Sequence, residues 1–421
     1  MITGKTGSGL QYAVRKGGFS VGYCALSIRC GTREEEGYHS GIAHFTEHTL
    51  FKGTAHKSAA VVNGYLDRLG GELNAFTTKE EIVLHATVLK EDLPKAAGLL
   101  FELATEATFP EKEVETEKGV VIDEIQSYKD SPADEVYDRF EEGLYAGHPL
   151  GRPILGTPAS VRRITSDELR RFVRENFTPD RMAFSMMADI DESRMEKEVH
   201  RLSTKYFPDA VSGAARFASG PSDNGPDPSS PSIAVQCNSF DKTVDKRNHE
   251  VNAVIGGAAP SLYGGRDRIA AVLLSNILGG PASNSILNNI LRERNGWVYG
   301  VECGYTQYRD TGVMAISLGC DKDNLSKCFK AISSSIRDLQ EKPLSDRKLK
   351  AAKKQLLGQL AISSESGEAQ CLSMGKSLLA FGRVASSAEN KAAIEAVTAS
   401  DLQTLAQRIF SPENLSRLIY L

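Results

Sequence analysis

The sequence predicts an α+β fold of two similar lobes, each a mostly antiparallel sheet flanked by helices, and three observations predict it. At 421 residues the chain exceeds what one core ordinarily holds, so two domains of roughly 200 residues are expected. An internal echo points the same way: ITSDELRRFVRENFTPDRM at 164–182 realigns with VTASDLQTLAQRIFSPENL at 397–415. The offset, 398 − 165 = 233, also pairs Phe177 with Phe410 and Pro179 with Pro412. Between the copies, SGAARFASGPSDNGPDPSSPS at 212–232 is crowded with Gly, Pro, Ser and Asp and has no apolar period, so it reads as a linker. The division that follows is a lobe over 1–211, a linker over 212–232 and a second lobe over 233–421.

Taken in order, the first lobe offers strands at 21–30 (VGYCALSIRC), 81–89 (EIVLHATVL) and 183–190 (AFSMMADI), each a run of apolar and β-branched residues between turn formers. Helical spacing of apolar residues marks 42–51, 58–69, 91–106 and 111–129. The second lobe repeats the mixture, with helices expected near 266–278, 282–294, 323–340 and 345–362. In both echoed segments a short amphipathic helix runs into a Phe-Ser/Thr-Pro turn and then a strand, MAFSMMADI in one case and LSRLIYL in the other.

Charge excludes some partners. Fifty basic against 54 acidic residues leave a net charge of -4 with both signs interspersed, which argues against nucleic acid or an anionic membrane as the partner. Pairs such as Arg162-Arg163 and Lys353-Lys354 read as solvated helix faces. No stretch reaches the ~18 apolar residues of a membrane span. The first 30 residues lack the basic start and apolar run of a signal peptide, so the cytoplasm is the expected compartment. The periplasm is the alternative if a signal segment has been removed. Seven scattered cysteines without a C-x-x-C pair read as free thiols.

The chemistry concentrates in HFTEH at 44–48. On a helix, positions i and i+4 differ by about 40° in azimuth and about 6 Å in rise, so His44 and His48 project from one face and can share a cation. Glu47 lies about 60° from His44, beside the pair, where its carboxylate can reach a water rather than the cation. With eight histidines in the chain such a pattern is expected by chance on the order of once in a hundred sequences, so a third ligand is the test. EKEVETEKGVVIDEIQSYKD at 111–130 offers two: Glu117 and Glu124 stand seven residues, about two turns, apart on one helix face, and spacing does not choose between them.

GIAHFTEHTLFKGT, GGELNAFTTKE at 70–80, ETEKGVVIDEI and GHPLGRPILGT at 147–157 together resemble the pitrilysin/insulinase family of zinc peptidases, the inverzincins. The likeness spans nearly the whole chain and looks most like the two-domain branch that includes the β subunit of the mitochondrial processing peptidase. It implies a clam-shell pair of lobes and one Zn2+ per chain held by His44, His48 and Glu124, since the family's third ligand follows by about 75 residues and 124 − 48 = 76. Glu117 then matches the glutamate that orients a ligand, and Glu47 the general base. In LRERNGWVYG at 291–300 the resemblance assigns Arg292 and Tyr299 to the site, although Asn-Gly-Trp-Val-Tyr departs from the common Arg-Gly-Leu-Ala-Tyr. Asn74 and Ala75 match substrate-binding edge residues, and Asp134 and Asp138 match acidic positions that accept a substrate arginine.

The 233 offset sets Ile277 opposite His44 and Leu357 opposite Glu124, so the second lobe reads as a metal-free copy. The resemblance further implies a zinc endopeptidase acting on peptides in an enclosed chamber, and a homodimer, or a heterodimer with a paralogue. The competing reading is a non-catalytic peptide-binding or scaffold subunit of the same fold. GKTGSG at 4–9 lacks the glycine and strand that a phosphate loop needs before its G-K-T.

Overall fold

The computed structural model describes residues 1–208, 235, 237–247 and 249–421, and the linker expected over 212–232 lies outside the described residues. The first sheet contains β1 (Ile2–Lys5), β2 (Gln11–Lys16), β3 (Val21–Ile28), β4 (Glu72–Thr77), β5 (Ile82–Leu89) and β6 (Met182–Ala188), in the order β1-β2-β6-β3-β5-β4. Only the β2/β6 pair is parallel. The second contains β7 (Asp241–Val244), β8 (Val251–Ala259), β9 (Val298–Gln307), β10 (Gly312–Cys320) and β11 (Ser416–Tyr420), in the order β7-β11-β8-β10-β9, and only β7/β11 is parallel. Without β1 the two topologies are the same, so the 233-residue echo marks the last helix and strand of a repeated α+β unit.

The helices follow the same repeat. In the first half they are α1 (Ile42–Leu50), α2 (Ala59–Asp67), α3 (Leu93–Glu106), α4 (Glu111–Lys129), α5 (Pro132–Leu144), α6 (Ser166–Asn176) and α7 (Glu192–Tyr206). The second half has α8 (Gly265–Gly279), α9 (Leu325–Glu341), α10 (Asp346–Ser363), α11 (Gly367–Phe381), α12 (Ser387–Ala396) and α13 (Ala399–Ile409). Both echoed helices start from a threonine cap: the Thr165 side chain accepts the Glu168 N–H, and Thr398 accepts that of Asp401. One expectation changes. Where the apolar pattern predicts an α-helix over 282–294, the chain forms the shorter π-helix Asn288–Arg294.

The halves of the sequence are not the packed units. One unit gathers 1–125, 152–208 and 362–385; the other gathers 126–151, the described residues of 226–361, and 386–421. The repeat-equivalent helices α5 and α11 are thus exchanged, each packing on the sheet of the other half. The reason is that both faces of each sheet are apolar. Along β6 the strand alternation sends Met182, Phe184 and Met186 into a core with α3, while Ala183 and Met187 face α11 through Cys371, Met374 and Leu378. The α11 side uses small residues, and a Cβ on Gly375 would sit 2.6 Å from Ser27 Oγ, so glycine lets the helix lie close to the sheet. Under the second sheet, Val136, Phe140 and Leu144 of α5 pack against Val254, Val313 and Leu418.

Phe140 is fully buried, so Phe140→Ala should cost about 3–5 kcal/mol and lower the unfolding midpoint. Thermal or urea denaturation reads this, and a loss under about 1 kcal/mol would contradict the packing role given to α5.

Candidate metal centre

α1 is buried on nearly every side through Ile42, Ala43, Phe45, Thr46, Thr49 and Leu50, which holds its histidines in fixed positions. Its first turn is set by neighbours, not by a cap of its own. Gly41 has φ +89, and a Cβ there would meet Leu155 O at 2.8 Å and Gly156 Cα at 2.9 Å, so the GHPLGRPILGT loop rests directly on the helix start. Glu35, almost fully buried, accepts N–H bonds of 3.1 Å from Gly41 and Ala43 at the positive end of the helix. Sequence reasoning missed Glu35; nothing in its surroundings, GTREEEG, distinguishes it from the acids beside it.

α4 supplies the carboxylates. Its buried stripe is Val114, Glu117, Val121 and Ile125, and Glu117 is the one charge within it. Two partners satisfy that charge: His48 Nδ1 at 2.9 Å from Oε1, and Lys52 Nζ at 2.6 Å from Oε2. Glu124 lies two turns along. Its Oε2 is 3.8 Å from His44 Nε2 and 3.4 Å from His48 Nε2, and one ligand atom from each of the three residues falls within 4.8 Å of the others. Tetrahedral donors about 2.0–2.1 Å from zinc stand roughly 3.4 Å apart, so two nitrogens and a carboxylate oxygen at these separations fit that ion. Glu117 engages Nδ1 of His48 and so keeps Nε2 directed at the cluster. The His44 side chain is 9% exposed and that of Glu124 43%, which opens the cluster on the α4 side.

The electrostatics match a cation site. Burial, with the neighbouring His48 ring, lowers His44 to about 4, so it stays a neutral donor. Burial opposes charge on His48, but Glu117 and Glu124 outweigh it and raise that ring to about 9. A dication at these donors must displace that proton. Burial raises Glu47 above the usual carboxylate range, against the hydrogen bond from Thr77 and the charge of His48. Thr77 Oγ1 donates to Glu47 Oε2 at 2.5 Å and ties the end of β4 to the carboxylate. Thr77 was also missed, although it lies inside GGELNAFTTKE.

β4 is the free edge of its sheet and carries Asn74 and Ala75, opposite His85 and Leu84 of β5. Arg292, Tyr299, Asp134 and Asp138 belong to the second unit. Arg292 is exposed on the π-helix, and Tyr299, 62% exposed on β9, donates to Asp321 Oδ1 at 2.7 Å. Asp134 accepts from Ser131 Oγ at 2.6 Å, and Asp138 bonds Tyr128, whose phenol is raised mainly by burial. Ile277 and Leu357, opposite His44 and Glu124 in the repeat, pack against the apolar core of their unit. Among the described residues no helix is long and apolar enough to cross a membrane.

Glu117→Gln keeps the size of the side chain but removes the charge shared with His48 and Lys52. It should weaken zinc binding about 10- to 100-fold in competition with a chelating dye. Unchanged affinity would remove Glu117 from the site.

A family profile described as Insulinase (Peptidase family M16) matches residues 18–158, and one described as Peptidase M16 inactive domain matches 163–356. An uncharacterized zinc protease of Bacillus subtilis is 30% identical over 393 residues, 93% of this chain and 91% of its own length. A second uncharacterized zinc protease, from Streptomyces coelicolor, is 29% identical over 90% of this chain and 80% of its own length. The crystal structure of a protease from Helicobacter pylori superposes with a TM-score of 0.85 at 19% identity, over 100% of this chain and 98% of that one. A peptidase M16 inactive domain from Pseudomonas fluorescens gives 0.83 at 17% identity, over 100% and 97%. The His44, His48 and Glu124 cluster lies within the segment matched by the first profile, and the chain belongs to the insulinase family of peptidases, peptidase family M16.

Proposed function

We propose that this chain is itself catalytic: a zinc-dependent endopeptidase that cuts peptides or extended segments within an enclosed chamber. The observation that supports this most is Glu47, a buried carboxylate fixed by Thr77 beside the three donors yet not one of them. A non-catalytic scaffold would have no use for that carboxylate. His44, His48 and Glu124 hold the zinc, which when bound supplies Lewis acidity, lowering the pKa of a water ligand towards ~7 and polarising a carbonyl.

Glu47 takes the proton of the attacking water as the new C–O bond forms, and hands it to the amine nitrogen as the C–N bond breaks. Its raised pKa suits both halves of that transfer. Arg292 and Tyr299 donate to the oxyanion of the tetrahedral intermediate. The substrate extends β4 as an added strand along Asn74 and Ala75. Asp134 and Asp138 favour basic residues near the cut. As in the two-domain members of the family that the sequence resembles, the Arg292/Tyr299 lobe of one subunit faces the zinc lobe of another and completes its site, which makes the working unit a homodimer.

Glu47→Gln should retain one zinc per chain while kcat falls at least about 10²- to 10⁴-fold on a peptide library. Metal-dependent cleavage that persists in this variant removes Glu47 from the base role. Mixed with a Tyr299→Phe chain that is also inactive alone, it should regain part of the activity, because one of the two shared sites is then intact. If subunits exchange and no activity returns, the sites are not shared.

A further inference from the structure

The second repeat has no metal donors, yet it keeps an opening at the matching place. A cavity of about 390 Å3 lies between the end of α8, the π-helix and α10. At the 233 offset Ile277, in its wall, stands at the position of His44, and α10 stands at that of α4. The cavity thus separates the counterparts of the elements that carry the metal donors in the first repeat.

Its lining is of three kinds. Ile277, Ile286, Ile290 and Leu344 supply an apolar surface. Carboxamides tie the walls together: Asn284 Nδ2 donates to Gln355 Oε1 at 2.9 Å, and Asn276 Nδ2 to Gln359 Oε1 at 2.7 Å. Asn289 lines the cavity with no side-chain partner among the described residues. Two exposed cations, Arg294 and Lys348, complete the lining, and neither has an ion-pair partner among the described residues. Elsewhere in the same unit Arg266 and Arg408 are each paired with an aspartate at 2.7 Å, whereas the two cations at this cavity are open to an incoming anion.

We propose that this cavity binds the C-terminal residue of a peptide whose last side chain is aliphatic. Its volume falls in the lower part of the ~300–1,000 Å3 typical of ligand pockets, which suits one or two residues. Only at a C-terminus do a carboxylate and an aliphatic side chain branch from one Cα, so one residue satisfies the cations and the isoleucines together. Asn289 offers a donor and an acceptor, the complement of a peptide group. An acyl chain would cover that amide without pairing it. The ligand class rests on the peptidase reading, and the place has a consequence for it: the π-helix carrying Arg294 also carries Arg292, and π-helices recur at functional sites. A seated C-terminus therefore holds the element that presents Arg292.

The test is fluorescence anisotropy with the full-length, zinc-loaded Glu47→Gln protein and a fluorescein-labelled octapeptide ending in Val-Leu with a free carboxylate. C-terminal amidation should weaken binding at least tenfold. An amidated peptide ending in glutamate should bind as weakly as the amide, which separates a terminal from a side-chain carboxylate. Arg294→Glu should weaken the free-acid peptide at least tenfold and leave the amide unchanged, whereas Arg347→Glu, on α10 but outside the cavity, should change neither. Ala351→Trp, which fills the cavity from the opposite wall, should abolish the difference between acid and amide while the melting temperature holds. Equal affinity for acid and amide overturns the proposal, as does octanoate displacing the peptide at lower concentration than the Val-Leu dipeptide. A wild-type chain that cleaves nothing while this pattern holds fails the peptidase reading alone; one that cleaves normally with no acid-to-amide difference fails only the cavity assignment.

Discussion

The metal centre depends on one hydrogen bond, 2.9 Å long, between His48 Nδ1 and Glu117. Glu117 is a charge inside the apolar stripe of α4, a costly position unless it is paired. Lys52 and His48 pair it, and in doing so they bind α4 to the HFTEH helix and fix which nitrogen of His48 faces Glu124. Without Glu117 and these two partners α4 would lose the polar contacts that help to set Glu124 within 3.4 Å of His48. The apolar packing of α1 and the Glu35 contacts at its first turn supply the other half of the rigidity. Donor geometry is thus set before any ion arrives, so little ordering is left for binding to accomplish.

Duplication explains the rest of the architecture. Both repeats build the same strand order, and each covers the second face of its sheet with a helix from the other, α5 in one case and α11 in the other. Exchange of this kind makes neither half of the sequence complete alone: the β6 face lined by Ala183 and Met187 would be bare without Cys371 and Met374. The repeats diverge where the chemistry lies. Ile277 and Leu357 have replaced donors by apolar packing, and the opening between their elements is lined by carboxamides, isoleucines and two cations.

Much of this was legible in the sequence. The strands at 21–28 and 82–89 and the helices at 42–50, 111–129 and 346–363 lie where the sequence places them to within two residues, and the 233-residue echo registers one repeat on the other. The three donors were found from helical spacing together with the family resemblance; spacing alone left Glu117 and Glu124 equivalent, because both lie on one face and only tertiary packing buries one of them. The helix exchange was not legible. An apolar helix face records that it needs a cover and not which sheet provides it, so the division at 212–232 leaves 132–144 in the first half and 367–381 in the second. Glu35 and Thr77 were missed for a related reason: single polar residues acquire meaning only from the backbone N–H or carboxylate that folding brings to them. The π-helix escaped because its apolar pattern over so few residues is that of an α-helix.

The central claim is that His44, His48 and Glu124 form the zinc site of this chain, and X-ray absorption at the zinc edge tests it most directly. With one equivalent of zinc, the account predicts two imidazole nitrogens and oxygen neighbours at about 2.0–2.2 Å, no sulfur near ~2.3 Å, and loss of the imidazole scattering in a His44→Ala, His48→Ala chain. A sulfur shell from any of the seven cysteines, or an unchanged spectrum in that double variant, would contradict it.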